Sequence, residues 1–334
     1  MHASRSLLAA LLVLLPVHGC GGGEAGDRTR LAFVTNGIDP FWTIAAAGVA
    51  AAARDFDVDC DVKMPANGIV DQKRIVEDLL ALGIDGIAIS PIDGVNQAEL
   101  IDEACAKTRV ITQDSDAPGT NRLCFVGMDN YAAGRECGKL VKEAMPEGGS
   151  VMLFIGRLEQ DNARQRRQGV IDELLDRPVD KDHDDPAGEK LVGETYTILA
   201  TLTDQFDRSR AKSNAEDTLA LYPDIGCMVG LFAYNPPACL EALKSADKLG
   251  VVRVVAFDEN EQTLRGILEG TVYGTVTQQP YRYGYESMRI LAALARGEDA
   301  VPESGFVNVP VRVVRKANCQ AFWDELKGLL EEGE

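Results

Sequence analysis

The sequence predicts an α/β protein built as two similar lobes, each a parallel sheet covered by helices. Three observations point there. Short apolar runs alternate with amphipathic helical stretches along most of the chain, the signature of βαβ repetition with right-handed crossovers. The apolar runs are continuous rather than alternating, as expected of strands covered on both faces. The alternation also repeats about ten times, more than one open sheet comfortably holds. It divides near Asp129, with a shorter series before it and a longer one after. A closed barrel of eight βα units is the rival architecture; the extra units weigh against it.

The first series places strands at Leu31–Thr35, Val58–Met64, Gly86–Ser90, Arg109–Gln113 and Leu123–Gly127. The second places them at Val151–Gly156, Leu191–Leu199, Cys227–Leu231, Arg253–Phe257 and Tyr273–Gln278. Helical patterns lie between them, at Ile44–Phe56, Asp71–Leu82, Gln97–Thr108, Ala132–Met145, Asn162–Leu175, Arg208–Leu221, Pro237–Leu249 and Glu261–Leu268. In Asp71–Leu82, Ile75, Leu79 and Leu82 recur at intervals of four and three and form one apolar stripe.

The chain has 334 residues, 46% hydrophobic and 26% charged, enough for a substantial core. Its 34 basic against 52 acidic side chains give a formal charge of -18. Such a surface repels phosphate backbones, so no nucleic-acid partner is expected. Of the three histidines, His2 and His18 fall in a leader and only His183 in the body. Clustered His metal sites and most His-based triads are thereby excluded.

Residues 1–19 read as an export signal, with Arg5 ahead of the 11-residue apolar run Leu7–Val17. That run is too short for a membrane span, which needs about 20 residues. Val17-His18-Gly19-Cys20 then resembles a bacterial lipobox, which makes Cys20 the lipid attachment site, and His18 is unusual in it. Acyl chains at about 0.8 kcal/mol per buried CH₂ would hold the protein to a membrane. Residues 20–29 form the lipidated Cys and a Gly-rich flexible tether. Seven further cysteines show no CxxC spacing, and no pairing follows from them.

In open parallel sheets, ligands bind beyond the carboxyl ends of the strands. Those ends carry Thr35-Asn36-Gly37-Ile38-Asp39-Pro40-Phe41-Trp42, Ser90-Pro91-Ile92-Asp93 and Asp114-Ser115-Asp116. In the second series they carry the Arg-rich stretch 157–167, Gln205-Phe206-Asp207, Tyr234-Asn235, Asp258-Glu259-Asn260 and Gln278-Gln279-Pro280. Carboxylates, amides and arginines can each engage two neighbouring hydroxyls, while aromatic rings cover C–H faces. That mixture suits a sugar. Any single strand-end Asp also serves as a helix cap; the combined set carries more weight.

The markers Pro40-Phe41-Trp42, Asp114 paired with Asp258, Ala163-Arg164-Gln165-Arg166, Phe257-Asp258 and Thr277-Gln278-Gln279-Pro280 come in a specific order and spacing. Over roughly residues 31–315 the chain resembles the ribose/galactose-binding family of periplasmic sugar-binding proteins, the receptors of ABC importers. The resemblance implies a type I periplasmic binding protein fold: two doubly wound parallel-sheet lobes joined by a three-segment hinge. The N-terminal lobe would take residues 30–128 and 279–308, and the C-terminal lobe residues 129–278 and 309–334. It implies stacking by Phe41, Trp42 and Phe206, and hydrogen bonds between the ligand and Asn36, Asp39, Ser90, Asp114, Ser115, Arg164, Asn235, Asp258 and Gln278. Ser90 and Ser115 stand where ribose binders carry Asn and Arg, so a pyranose or an unusual polyol is as well suited as ribose.

The resemblance further implies a monomeric, non-enzymatic lipoprotein of the periplasm or cell envelope. It would pass a monosaccharide or related polyol to a membrane ABC permease, without a cofactor. Presentation of the same ligand to a membrane sensor is the alternative. A sugar-responsive repressor would need a DNA-binding helix-turn-helix where this chain has an export signal. Asp114 and Asp258 as a glycosidase pair lack a distinct general acid. The acidic run Asp180–Asp185 begins like a calcium loop, but Asp185 replaces the turn glycine and Leu191 the bidentate Glu, so no metal is expected.

Overall fold

A computed structural model describes residues 28–333; the leader and Cys20 lie outside the described residues. The chain forms two α/β lobes, each around its own sheet. The first sheet uses β1 (Arg30–Val34), β2 (Asp59–Lys63), β3 (Gly86–Ile89), β4 (Arg109–Gln113), β5 (Phe125–Gly127) and the late β12 (Phe306–Asn308). Its order is β2-β1-β3-β4-β5-β12, and all its pairings are parallel. The second sheet uses β6 (Gly149–Ile155), β7 (Leu191–Val192), β8 (Tyr196–Thr203), β9 (Cys227–Gly230), β10 (Arg253–Phe257), β11 (Gly274–Thr277) and β13 (Arg312–Arg315). Its order is β7-β8-β6-β9-β10-β11-β13.

Leaving out β12 from the first sheet and β7 and β13 from the second, both follow the doubly wound 2-1-3-4-5 order. The edges depart from pure parallel pairing. β13 runs antiparallel to β11, and the single strand expected over 191–199 is a short antiparallel β7–β8 pair turning at Gly193. A short hydrophobic run cannot by itself distinguish one strand from a hairpin, and no Asn-Gly or Asp-Gly marks this turn. β12, β13 and the helix α10 (Lys316–Gly333) were not among the expected elements.

The chain crosses between sheets three times: after β5, after β11, and between β12 and β13. Two crossings lead straight into helices, α4 (Asn130–Ala144) and α9 (Pro280–Ala295). Each of these packs on the helix that begins at the cleft in its lobe, α5 (Asp161–Leu174) against α4 and α1 (Pro40–Phe56) against α9. Glycines make both contacts possible. A Cβ added at Gly134 would overlap the carbonyl of Arg166, and one at Gly169 that of Tyr131. Gly48 and Gly284 do the same between α1 and α9.

Strand-end acids start several helices. Asp39 caps α1, accepting from the Phe41 N–H at 3.0 Å, with Pro40 supplying a fixed φ at the first turn. Asp129 caps α4, and Asp207 caps α6 (Arg208–Leu221). Asp114 and Asp258 are of another kind. Each follows a central strand with a left-handed backbone, φ 59° and 70°, which Asp tolerates better than most residues. Each also keeps the sheet bond of its N–H, to the carbonyls of Val126 and Val276.

Candidate ligand-binding site

The strand ends of the two lobes face one another across a cavity of about 280 Å³, at the small end of ligand pockets. Eight of the expected residues line it: Asn36, Asp39, Phe41, Trp42, Asp114, Phe206, Asp258 and Gln278. The same wall includes Arg157, Gln160, Asn162, Arg166, Arg208, Phe232 and Tyr234.

Asp114 is buried and accepts three hydrogen bonds on one oxygen: from Ser90 Oγ at 3.0 Å, Asn36 Nδ2 at 3.3 Å and Asn162 Nδ2 at 3.3 Å. The last comes from the opposite lobe. Burial outweighs these donors and pushes its carboxyl up to about 7. Asp258, also buried, accepts from Gln278 Nε2 at 2.7 Å and lies 3.9 Å from Arg166 Nη1. Burial raises it to about 6, against the pull of the guanidinium.

Arg166 is among the largest fully buried side chains of the protein. It donates to the Leu231 carbonyl at 2.7 Å and to Asn130 Oδ1 at 3.1 Å, and lies 4.0 Å over the Phe257 ring. Its Nε has no partner. Three neighbours on the same stretch share that condition: Arg157 Nε, Gln160 Nε2 and Asn162 Oδ1. Unpaired buried polar atoms are costly, and in a cavity wall they mark where a polar ligand completes the bonding.

Aromatic rings form the two faces. Trp42 packs edge-on against Phe41 at 4.9 Å and against Phe33 at 6.1 Å. Across the cleft, Phe206 stacks on Phe232 at 5.6 Å with 22° between the rings, and Arg157 lies 4.9 Å over its face. Gln205 and Phe206 both have positive φ, so the loop that presents this ring holds a conformation rare for such residues. Asp204 braces it, accepting from the Phe206 N–H, the Tyr234 hydroxyl and Asn235 Nδ2.

Four expected residues stand off the cavity. Arg164 is turned away: it pairs with Asp161 at 2.5 Å and Asp184 at 2.9 Å. Two residues on, and so about 200° around the helix, Arg166 reaches the cavity instead. Asn235 is buried and spends its amide on Asp204 and on the Phe232 N–H, so it positions the loops rather than facing the cavity. Ser90 supports Asp114, and Ser115 is fully buried outside the lining. The Asn162–Arg166 run was visible in the sequence as the stretch DNARQRR, but helical phase decides which arginine enters. Arg208 and Phe232 carried no signal beyond following a strand.

Asp180–Asp185 is tied into the protein, with Asp185 bonded to Arg177 at 2.6 Å and to Gln168 at 2.8 Å. Among the described residues no group of acidic, Cys or His side chains has a metal-binding arrangement. Cys60, Cys105, Cys124, Cys137, Cys227, Cys239 and Cys319 are all free thiols.

Residues 31–299 match the periplasmic binding protein domain family. The chain belongs to that family. Among relatives, this periplasmic binding protein is 25% identical over 332 residues to a D-ribose/D-allose-binding protein of Pseudomonas aeruginosa, covering 93% of this chain and 98% of the relative. It is 23% identical over 248 residues to the ribose import binding protein of Bacillus subtilis, covering 74% of each. A solved ABC transporter solute-binding protein of Burkholderia graminis, in complex with D-arabinose, superposes with a TM-score of 0.78 at 26% identity, covering 86% of this chain and 96% of that one. The two-lobed α/β architecture is thus that of type I periplasmic binding proteins.

Proposed function

We propose that this protein captures a monosaccharide or related polyol between its lobes and delivers it to an ABC-type importer. The observation that carries this reading is the cleft wall itself. Asp39 and Asp114 on one side, and Asp258 with unpartnered arginine and amide groups on the other, flank two aromatic faces, in a volume suited to a single sugar ring. Charge-assisted hydrogen bonds contribute about 1.5–3 kcal/mol each, so a few of them with ring stacking reach the roughly 8 kcal/mol of a micromolar complex. The named ligands of the relatives, ribose, allose and arabinose, are of the same chemical class.

The protein acts as a non-enzymatic monomer, exported by residues 1–19 and held to a membrane through acylated Cys20. Residues 30–128 with 279–308 make one lobe and residues 129–278 with 309–334 the other. Ligand closes them about the three crossings, the hinge motion of periplasmic binding proteins, and only a ligand that favours the closed form drives it. A thermal-shift screen of residues 21–334 against monosaccharides and polyols tests the reading. A ligand at a hundred times its Kd adds about 2.7 kcal/mol of stability, and Asp258→Ala should erase the shift. If no polyhydroxylated ligand moves the melting point, the sugar assignment fails.

A further inference from the structure

The cavity is formally balanced in charge but unevenly paired. Three arginines and three aspartates line it. Arg208 pairs with Asp39 at 2.8 Å, and Arg166 lies beside Asp258. Asp114 is held by three neutral donors. Arg157 is left: among the described residues it forms no ion pair and no hydrogen bond, and its one close partner is the Phe206 ring.

The groups next to Arg157 in the chain are donors in the same condition. Gln160, only 1% exposed, leaves Nε2 unbonded. It is also the N-cap residue of the 14-residue α5 and makes no side-chain capping bond, so the helix begins at the cavity without a side-chain cap from that residue. Asp161, the acid of that first turn, spends its oxygens on Arg164 and Gln165 and is not part of the cavity wall. One acceptor sits alongside, Asn162 Oδ1, itself unbonded. Because Asn162 Nδ2 is committed to Asp114, the amide cannot flip without setting an oxygen against the carboxylate.

A guanidinium, an amide N–H and a helix N-terminus at one corner all ask for negative charge. The adjacent amide oxygen asks for a hydroxyl. We infer that the ligand is a sugar acid, a monosaccharide-sized polyol bearing one carboxylate with a hydroxyl beside it, and that the carboxylate seats on Arg157 and Gln160. A dianionic phosphate fits less well, since one unpaired guanidinium balances one charge and Asp114 and Asp258 share the cavity. This inference rests on the sugar-binding reading above and narrows it.

Titration calorimetry with matched pairs tests it: D-galactose with D-galacturonate, D-glucose with D-glucuronate, and D-ribose with D-ribonate. The expected result is that at least one acid binds about tenfold or more tightly than its neutral parent, the equivalent of one charge-assisted contact. Arg157→Met should then shrink that ratio about tenfold. Salt tests wild type independently should Arg157→Met not fold: raising it weakens the acid more than the parent. If each neutral sugar that binds matches or exceeds its acid, or if Arg157→Met weakens both alike, the acid assignment is overturned and the sugar reading stands. If no member of any pair binds, both fall together.

Discussion

The two walls of the cleft share a scaffold and differ in chemistry. Both come from sheets of the same strand order, both present an Asp in the left-handed conformation after a central strand, and both begin a helix at the cavity. Yet the N-terminal wall carries no arginine and its acids are already bonded, Asp114 under three donors, one of them Asn162 of the other lobe, and Asp39 capping α1. The C-terminal wall carries all three arginines and the unbonded Nε and Nε2 groups. The first wall chiefly accepts, while the second sets its donors beside the Asp258 carboxylate and the unbonded Asn162 Oδ1. A hydroxyl both donates and accepts, so a polyhydroxylated ligand is the kind of molecule that completes the two walls at once.

The largest test of this contrast is Arg166→Leu. The guanidinium is buried with Asp258, and Coulombic attraction from it lowers Asp114 as well. Removing one partner of a buried charge pair costs about 3–5 kcal/mol, because the other is left uncompensated. Urea denaturation should show a loss of that size, with sugar binding lost alongside it. A stability within about 1 kcal/mol of wild type would mean that the C-terminal wall does not depend on this group.

The aromatic faces offer the next comparison. Trp42 is 3% exposed and embedded against Phe33 and Phe41, whereas Phe206 is only partly buried. Trp42→Ala should therefore cost about 3–5 kcal/mol in stability as well as affinity. Phe206→Ala should weaken sugar binding about tenfold, roughly one stacking contact, with a much smaller stability loss. Denaturation curves and calorimetry on the two variants separate the cases, and equal stability losses would refute the division into embedded and presented rings.

The sequence disclosed the scaffold better than the contacts. Continuous apolar strands and intervening amphipathic stretches are repeated signals, and the two-lobed α/β plan follows from them. Asp258 and Phe206 were legible as cavity-lining residues because the cavity forms beyond the strand ends of such sheets. Arg164 in place of Arg166 shows the limit: residues two apart on a helix point to nearly opposite sides, and the phase is set by the Gly134–Gly169 contact, which no local pattern announces. Asn235 misleads similarly. It stands at a strand end, but its amide is consumed by Asp204, which the strand-end pattern did not pick out. The β7–β8 turn and β12 are edge features whose pairing depends on distant strands rather than on their own few residues.

The elevated carboxyls give the third test. Asp114 near 7 and Asp258 near 6 hold protons in the folded protein that the unfolded chain would release around pH 4. The native state therefore binds more protons across roughly pH 4–7, and unliganded stability falls as pH rises through that window, levelling off above it. Ligand hydroxyls donate to the ionised carboxylates, so affinity runs the other way and rises with pH, by up to about tenfold per unit per group below its pKa. Melting temperature and Kd at pH 5, 6, 7 and 8 report both trends. An affinity that stays flat from pH 5 to 8 would contradict the role given to these two acids.

The smallest effect belongs to the contact that joins the walls at their rim. Arg208 bonds Asp39 across the cleft at 2.8 Å while lying 5.6 Å over the Tyr234 ring. The Arg208 side chain is 62% exposed, and exposed ion pairs are worth about 0–1 kcal/mol because water screens them and ordering the side chains costs entropy. Arg208→Ala should barely move the unfolding midpoint. It should instead favour the open arrangement, since the pair exists only when the lobes meet, and weaken ligand by no more than about fivefold. Small-angle scattering of the unliganded variant should show a larger mean radius than wild type, with the difference shrinking at high salt as the wild-type pair is screened. Identical scattering would mean that the lobes are held by Asn162 on Asp114 and the crossings alone.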